Sequence, residues 1–278
     1  MNDPLSSLSA PPPRYLLESD SSDEEGQGAY PGGNLGIGPS KPKIRLQNDV
    51  QVHFTGLDDQ LDEVIIGLGQ SGKFILRTIN GQQVGEARIG GKSVGKIVQS
   101  GNNSTVVSLD EGDFAGEESW EITKTLINKV KAKKWTIITS YVPSMYIPSP
   151  AERASTLSEP PTRILTAGSS QQNLSGSIRG FEAPNYLTGV AGALVSLASH
   201  PTSSIPQPTT VLLPLPLSSL AISRVQSTLK AFDSLLVQRI GESSKRWSED
   251  DDEPYSARGM GRVKGQRKAV GEISSMYT

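Results

Sequence analysis

The sequence predicts an α/β fold: a single mixed β-sheet domain flanked by helices, with disordered N-terminal and C-terminal tails. Three observations predict it. In the later half of the chain, β-branched apolar runs alternate with helical apolar periodicity. The earlier half holds several short strand patterns separated by glycine- and asparagine-containing turns. Both ends of the chain are polar and carry proline, glycine or acidic runs.

Residues 1–43 are predicted to form a disordered acidic segment. They contain Pro11-Pro12-Pro13 and the acidic run Glu18–Glu25, and they have few large apolar residues to offset the entropy of ordering. Four serines lie among acids, in a setting that acid-directed kinases favour: Ser19, Ser21, Ser22 and Ser248. Phosphorylation and a plain solubilising role are both open for these serines.

Residues 44–240 are predicted to form the α/β core, and its first half is expected to be an antiparallel meander. The strand candidates are Val64-Ile65-Ile66, Lys73–Ile79, Gln82–Ile89, Ile97-Val98 and Thr105–Leu109. The second and third candidates are joined by Asn80-Gly81, a dipeptide typical of tight hairpin turns.

A helix and a buried strand are predicted next. Glu117 and Glu118 occupy the first turn of the helix, where the helix dipole favours acids. One face of this helix carries the apolar spacing Thr123, Leu126, Ile127 and Val130. The β-branched and aromatic run Trp135–Val142 then predicts a buried strand.

The rest of the core alternates strand and helix after a proline-rich loop insertion at residues 148–162. The predicted elements are strand Arg163–Ala167, helix Thr188–Ser199, strand Thr209–Leu215 and the long amphipathic helix Ser218–Ile240. Residues 241–278 turn polar again and are predicted to be a flexible tail.

Composition narrows the class of partner. The net charge is −2 and the pI is about 5.8, so no global charge favours nucleic acid or an anionic membrane. Cysteine is absent, which excludes disulfides and thiolate sites. No secretory signal pattern opens the chain, and no apolar run approaches the roughly 18 residues of a membrane span. We expect a soluble protein of the cytoplasm and nucleus that binds neither nucleic acid nor membrane.

A glycine motif lies after the first strong strand. Gly67-Leu68-Gly69-Gln70-Ser71-Gly72 matches the G-x-G-x-x-G of dinucleotide-binding turns, which requires a helix next and an acid about 20 residues on. The following residues predict a strand, and no acid lies about 20 residues on at the end of a second strand. A glycine-rich turn is therefore favoured, with a dinucleotide-dependent enzyme as the alternative.

Other catalytic or metal-binding patterns are weak. Gly90-Gly91-Lys92-Ser93 resembles the end of a phosphate-binding loop, but the first glycine of that motif falls on Glu86. The only histidines are His53 and His200, and neither lies in the context of a catalytic triad or a zinc site.

An acidic cluster precedes the first strong strand: Asp58, Asp59, Asp62 and Glu63. A solvated turn with capping acids is favoured there over a metal site. We therefore expect no catalytic residue, no cofactor and no metal.

The C-terminal triplet is the strongest candidate for partner binding. In Met276-Tyr277-Thr278, the methionine can fill an irregular apolar groove, and the tyrosine adds a large ring with a hydroxyl. A terminal carboxylate can pair with a lysine and accept backbone N–H bonds. On a flexible tether, such a tip would add avidity to binding by the core.

Together these features resemble the proteasome assembly chaperone family. The stretch Trp135–Ile147 and the small-residue helix Leu187–Ala198 contribute to the resemblance, which covers residues 44–240 and the last three residues. The resemblance implies a heterodimer with proteasome assembly chaperone 2 that binds α-type subunits of the core-particle ring and promotes correct assembly.

The resemblance also implies a role for the hydrophobic-Tyr-X terminus. Met276, Tyr277 and Thr278 would enter a pocket between neighbouring α-subunits, where the carboxylate meets a lysine. No bond is made or broken in this function, so the protein would not be an enzyme.

A third interpretation is an adaptor that partners bind through the phosphorylated residues 1–43.

Overall fold

The computed structural model describes residues 50–101, 103–111, 114, 116–153, 159–166, 178–241 and 245–253. Nine strands lie within this part of the chain: β1 (Val52–Phe54), β2 (Gln60–Leu68), β3 (Gln82–Ile89), β4 (Lys92–Gln99), β5 (Ser104–Leu109), β6 (Lys131–Tyr141), β7 (Thr162–Thr166), β8 (Ile178–Gly180) and β9 (Thr209–Pro214). The α-helices there are α1 (Gly69–Thr78), α2 (Gly116–Lys129), α3 (Pro150–Arg153), α4 (Gly189–Ala198) and α5 (Ile222–Lys230). The predicted segment 1–43 lies outside these residues.

All nine strands form one mixed sheet in the order β1-β3-β4-β5-β2-β6-β9-β7-β8. Its centre is parallel: β2 pairs with β5 and β6 on its two sides, and β6 pairs with β9. The meander β3–β4–β5 is antiparallel and carries β1 at one edge. The predicted antiparallel meander is thus confirmed for these three strands but is wrong for Val64-Ile65-Ile66, because β2 pairs only with parallel neighbours. A central parallel strand is covered on both faces, which explains why β2 contains the uninterrupted apolar run Val64-Ile65-Ile66.

Helices cover both faces of the sheet, and alternate residues of β2 supply both cores. Val64 and Ile66 belong to the core beneath α2 and α4, whereas Ile65 belongs to the core beneath α1 and α5. This is the two-residue period of a strand buried on both sides. The single mixed sheet flanked by helices confirms the predicted fold class.

The strand predicted at Lys73–Ile79 is wrong, because most of these residues belong to helix α1. β-Branched and aromatic residues gave the segment a strand-like composition. In the structure, Ser71, Phe74, Ile75 and Thr78 are buried on one helical face against the sheet. Tertiary packing thus overrides local β-propensity, and Asn80-Gly81 joins a helix to a strand rather than two strands.

Close packing of α1 on β2 depends on a pair of glycines. A Cβ on Gly72 would lie 2.5 Å from the carbonyl oxygen of Gly67 and 2.6 Å from Ser108 Oγ. We expect Gly72→Ala to lower the free energy of unfolding by about 2–3 kcal/mol, since overpacking forces backbone shifts.

The control for this substitution is Gly116→Ala in α2, where an added Cβ meets nothing within 4 Å. That variant should stay within about 0.5 kcal/mol of the wild type in urea denaturation. Equal stability of the two variants would contradict the close approach of α1 to β2.

The long helix predicted at Ser218–Ile240 is also wrong in extent. α5 ends at Lys230, Asp233 adopts a positive φ of 50°, and a 3₁₀ turn spans Leu235–Gln238. The break is stabilised by a buried carboxylate: Ser234 Oγ donates to Glu63 Oε1 at 2.8 Å, and Leu235 N donates to Oε2 at 2.6 Å. These bonds satisfy donors that a continuous helix would use internally.

The predicted loop insertion at residues 148–162 contains the short helix α3, and β7 begins at its last residue. Arg163 of β7 is buried and holds this region to the sheet. Its guanidinium donates to both carboxylate oxygens of Glu152, at 2.9 and 3.2 Å, and to Gly180 O at 3.0 Å. It also lies 3.3 Å from the ring centroid of Tyr146, a cation–π contact.

Among the described residues, no helix is both long enough and apolar enough to cross a membrane.

Candidate functional site

The predicted partner-binding residues Met276, Tyr277 and Thr278 lie outside the described residues, as do Ser19, Ser21 and Ser22. The structure does describe a stretch that precedes the triplet, residues 245–253, which we call the tail anchor. The tail anchor contacts α1 and the turn before α5, and so connects the core to the chain that leads to the C-terminal triplet.

An aromatic contact joins the tail anchor to α1. The ring of Trp247 packs edge-to-face on Phe74, with ring centroids 5.8 Å apart. The guanidinium of Arg77 lies 5.8 Å from the centroid of the Trp247 ring. Phe74 itself belongs to the core beneath α1 and α5. Trp247 therefore extends this core outward and ties the segment to it.

Charged contacts flank this aromatic pair. Arg77 forms an ion pair with Asp251, and Lys73 Nζ lies 2.5 Å from Glu253 Oε1 and 3.5 Å from Asp110 Oδ2. Partial burial of Lys73 opposes its protonation, but the hydrogen bond to Glu253 and the charge of Asp110 outweigh it, and the pKa of Lys73 is raised. The ammonium of Lys73 therefore stays charged.

Asp252 satisfies backbone donors of the core. Its carboxylate accepts from Leu217 N at 3.1 Å and Ser218 N at 3.3 Å, at the start of the 3₁₀ turn Leu217–Ser219. It also accepts from Trp247 Nε1 at 2.8 Å. One side chain thus caps a turn of the core and fixes the orientation of the indole.

Ser248 and Asp251 close the tail anchor on itself. Ser248 Oγ and Ser248 N both donate to Asp251 Oδ2, at 2.6 and 2.8 Å, at the start of the 3₁₀ turn Glu249–Asp251. These two bonds from Ser248, together with Arg77, lower the pKa of Asp251 to about 2. The Asp251 carboxylate is therefore ionised at any physiological pH.

The lowered pKa of Asp251 predicts how docking of the tail anchor depends on pH. A carboxyl group with a depressed pKa contributes fully above its unfolded value of 3.8, and the contribution is lost as the pH falls toward about 2. Hydrogen-exchange protection of the tail anchor should therefore be flat from pH 7 to about 5 and decline only in strong acid. Asp251→Asn should lower protection already at pH 7, and identical profiles for the two proteins would contradict the assigned role.

The tail anchor belongs to the segment that was predicted to be a flexible tail from residue 241 onward, but in the structure it is docked on α1. It docks because its one large aromatic residue finds an apolar contact and its acids face cations and backbone donors. The sequence signal was a lone tryptophan before an acidic run. Docking could not be predicted from this signal, because the strand wrongly predicted at Lys73–Ile79 does not place Lys73 and Arg77 on one helix.

A cleft of about 1040 Å³ opens beside α1, between this helix and the strands β4 and β5. Charged side chains of both signs line it, among them Lys73, Arg77, Lys96, Lys245 and Asp110. Lys73 and Asp110 form the ion pair described above. The cleft thus carries four cationic side chains and one acidic one, and about half of its lining is polar, unlike the mostly apolar pockets that usually hold cofactors.

The glycine motif has the helix that the sequence analysis did not predict. β2 leads through Gly69, with a φ of 55°, directly into α1, and Gly67 and Gly72 bring strand and helix close together. However, the next strand, β3, is separated from β2 by β4 and β5, and it ends in Arg88 and Ile89 rather than an acid. The βαβ unit and the acid that would bind a ribose are thus both missing.

The side chain of Gln70 in the first turn of α1 is also engaged by the tail anchor. Gln70 Nε2 donates to Glu253 O at 2.6 Å. This contact occupies part of the region where a pyrophosphate would approach the helix N-terminus.

The remaining chemical candidates lie apart. Gly90-Gly91 forms the hairpin between β3 and β4, and Lys92 begins a strand rather than the helix that a phosphate loop requires. His53 is exposed on edge strand β1, and exposed His200 contacts Thr202 through Nδ1 at 2.8 Å. No group of three or more histidine or acidic side chains in the described residues is placed to hold a metal.

The acidic cluster does not form a solvated turn throughout. Glu63 is fully buried within β2, where it also accepts from Thr136 Oγ1 at 2.7 Å. Asp62 pairs with Lys133, and Asp58 and Asp59 are exposed. The prediction of a solvated role is therefore wrong for Glu63, whose period-two position in the strand directs it inward. Its carboxylate does cap a helical turn, because it accepts from Leu235 N at the start of the 3₁₀ turn Leu235–Gln238.

Two loops beyond the parallel strands present large apolar side chains that the sequence analysis did not single out. Met145, Ile147 and Tyr186 are 60%, 49% and 80% exposed. Asn185 joins the loops: it accepts from Ile147 N and donates to Ile147 O, both at 2.9 Å. Exposed methionine and tyrosine held on ordered backbone are typical of protein interfaces.

Comparisons with known proteins give likenesses to solved structures at low identity. The chain is similar to PbaA of Pyrococcus furiosus, an archaeal homolog of proteasome-assembly chaperone, at 13% identity and a TM-score of 0.48, covering 66% of this chain and 86% of that chain. It is similar to a Mycobacterium tuberculosis proteasome-assembly chaperone homologue at 12% and 0.36, covering 62% and 86%.

A Thermoplasma acidophilum protein with unknown function gives 16% identity and a TM-score of 0.45, covering 66% of this chain and 83% of that chain. No family model and no curated protein matches the sequence. Likenesses of this strength do not by themselves place the chain in a family.

Proposed function

We propose that this protein is a proteasome assembly chaperone of the chaperone 1 type, acting in the cytoplasm and nucleus. It forms a heterodimer with proteasome assembly chaperone 2, binds the α-ring of the core particle and promotes its correct assembly. Met276, Tyr277 and Thr278 dock in a pocket between α-subunits. The protein makes and breaks no bond and needs no cofactor.

The C-terminal triplet carries the proposal. It combines an adaptable thioether, an aromatic ring with a hydroxyl, and a carboxylate at Thr278. The mixed sheet flanked by helices is the core that the family resemblance implies. The proposal assigns the triplet to a pocket and the core to the ring surface and the partner chaperone.

The tail anchor refines how the two contacts combine. With residues 245–253 docked on α1, the tether assumed in this proposal would consist of the 25 residues from 254 to 278. Such a tether reaches at most about 85 Å, and as a random coil its mean span is about 25–30 Å. A short tether keeps the effective concentration of the triplet near the ring high, so two weak contacts give avid binding.

Affinity purification of the full chain with mass spectrometry tests this proposal. The expected co-purifying proteins are α-type proteasome subunits and one partner of similar size. Recovery of neither, under conditions where the purified protein is folded, would overturn the proposed function.

A dinucleotide-dependent enzyme at Gly67–Gly72 is the second candidate, because β2, the glycine turn and α1 form a strand–turn–helix. Thermal shift with NAD, NADP and FAD separates the two candidates. A bound cofactor at 100 times its dissociation constant would add about 2.7 kcal/mol of stability. The chaperone proposal predicts no shift with any of them.

A further inference from the structure

We propose that Ser248 is a phosphorylation site and that its modification releases the tail anchor, residues 245–253, from helix α1. The proposal stands on three features of this segment: the exposed position of the serine, the contact its hydroxyl makes, and the ion pair that this contact supports.

The first feature is access. Ser248 is exposed, and it is followed directly by Glu249, Asp250 and Asp251. Acids on the C-terminal side of a serine complement the basic substrate clefts of acid-directed kinases. Ser248 combines this setting with a defined position on the folded core.

The second feature is the work of the hydroxyl in the docked state. Ser248 Oγ donates to Asp251 Oδ2 at 2.6 Å, and the same oxygen of Asp251 accepts from Ser248 N at 2.8 Å. The third feature is the ion pair: the other oxygen of this carboxylate pairs with Arg77 on α1. The hydroxyl proton of Ser248 therefore helps to hold the carboxylate that binds the helix.

The chemical step is a phosphoryl transfer from a nucleoside triphosphate, catalysed by a serine kinase. Ser248 Oγ attacks the γ-phosphorus, the bond from that phosphorus to the β,γ-bridging oxygen breaks, and a nucleoside diphosphate leaves. The hydroxyl proton passes to the general base of the kinase. The product ester oxygen has no proton to donate to Asp251.

The electrostatic consequence favours release. The phosphate adds a charge of about −1.5 to −2 within contact distance of an ionised carboxylate. Phosphate and Asp251 then compete for the guanidinium of Arg77, which already forms an ion pair with Asp251 and lies over the ring of Trp247. Lys73 is engaged with Asp110 and Glu253, so it does not relieve the competition.

Release would lengthen the tether that the proposed function assigns to the C-terminal triplet, and this consequence rests on that function. The free chain would then run from residue 242 to residue 278, 37 residues instead of 25. Its maximal reach would rise from about 85 Å to about 125 Å. Phosphorylation would thus set which pockets the triplet can reach from a docked core.

The first experiment treats the full-length protein with an acid-directed serine kinase and Mg-ATP and maps phosphate by mass spectrometry. We expect modification at Ser248, its loss in Ser248→Ala, and faster modification in Arg77→Gln, which weakens docking without altering the residues beside the serine. Ser21 and Ser22 serve as internal controls for kinase activity. Their modification without that of Ser248 would overturn the proposal.

The second experiment measures release by brief trypsin digestion of the phosphorylated protein, scoring cleavage after Lys245 and Arg246 by mass spectrometry. We expect cleavage about three- to thirtyfold faster than in the unmodified protein, the factor typical for loss of a capping contact. Ser248→Ala digested with and without kinase treatment is the matched control. It lacks the hydroxyl in both samples and acquires only the other phosphates, so its cleavage rate should not change on treatment. Unchanged or slower cleavage would show that phosphate does not release the anchor.

Both readouts are independent of the proteasome. Release without any binding to α-rings would refute the proposed function and keep this inference, whereas ring binding without release would do the reverse.

Discussion

Tyr277→Ala is expected to weaken binding of the protein to the proteasome α-ring by about 10- to 100-fold, because burying an aromatic side chain contributes roughly 1.5–3 kcal/mol. The fold should be unchanged, since the sequence predicts that Tyr277 belongs to a flexible tail outside the core at residues 44–240. Isothermal titration of isolated α-rings with the heterodimer, together with urea denaturation of the variant, measures both statements.

Two companion variants separate the parts of the triplet. One residue added after Thr278 displaces the carboxylate from a pocket lysine, and the loss of a charged hydrogen bond should cost about 1.5–3 kcal/mol of binding free energy. Ser274→Ala, in the same tail but outside the triplet, should bind like the wild type. Wild-type affinity in Tyr277→Ala would remove the central support of the proposed function.

Glu63→Ala is expected to give the largest loss of stability, about 3–5 kcal/mol, because it leaves several buried donors without an acceptor. Glu63 accepts from Thr136 Oγ1, Ser234 Oγ and Leu235 N, at 2.7, 2.8 and 2.6 Å. These bonds join the centre of the sheet to the 3₁₀ turn that follows α5. Urea denaturation should show a lower midpoint with a similar slope.

Asp58→Ala is the matched control for Glu63, because Asp58 belongs to the same acidic cluster but is exposed. It should change the free energy of unfolding by no more than about 0.5 kcal/mol. Ser234→Ala removes one donor and should cost less than Glu63→Ala. If all three variants are equally stable, the buried carboxylate does not organise this part of the fold.

The contrast between Glu63 and Lys73–Ile79 shows how far sequence patterns reach. The buried strands β2, β5, β6 and β9 were predictable, because strands at the centre of a parallel sheet are covered on both faces and contain continuous runs of β-branched apolar residues. Such a run can be recognised without knowing which strand pairs with it. Helix α1 was not predictable, because its residues locally favour a strand. The helix is stabilised only by packing of its apolar face on the sheet beneath it. The three-residue strands β1 and β8 are too short to show a period at all.

For the candidate site, too, some features follow from the sequence and others only from the tertiary structure. The sequence by itself predicted the terminal triplet as the partner-binding site, and it determined the acidic setting of Ser248 and the scarcity of catalytic patterns, since each depends on residue types at neighbouring positions. Only the tertiary structure decided that Trp247 docks on Phe74, that Asp251 meets Arg77 and that Glu63 binds Ser234. Those contacts join residues far apart in the chain, and their free energy exists only once the sheet has brought the partners together.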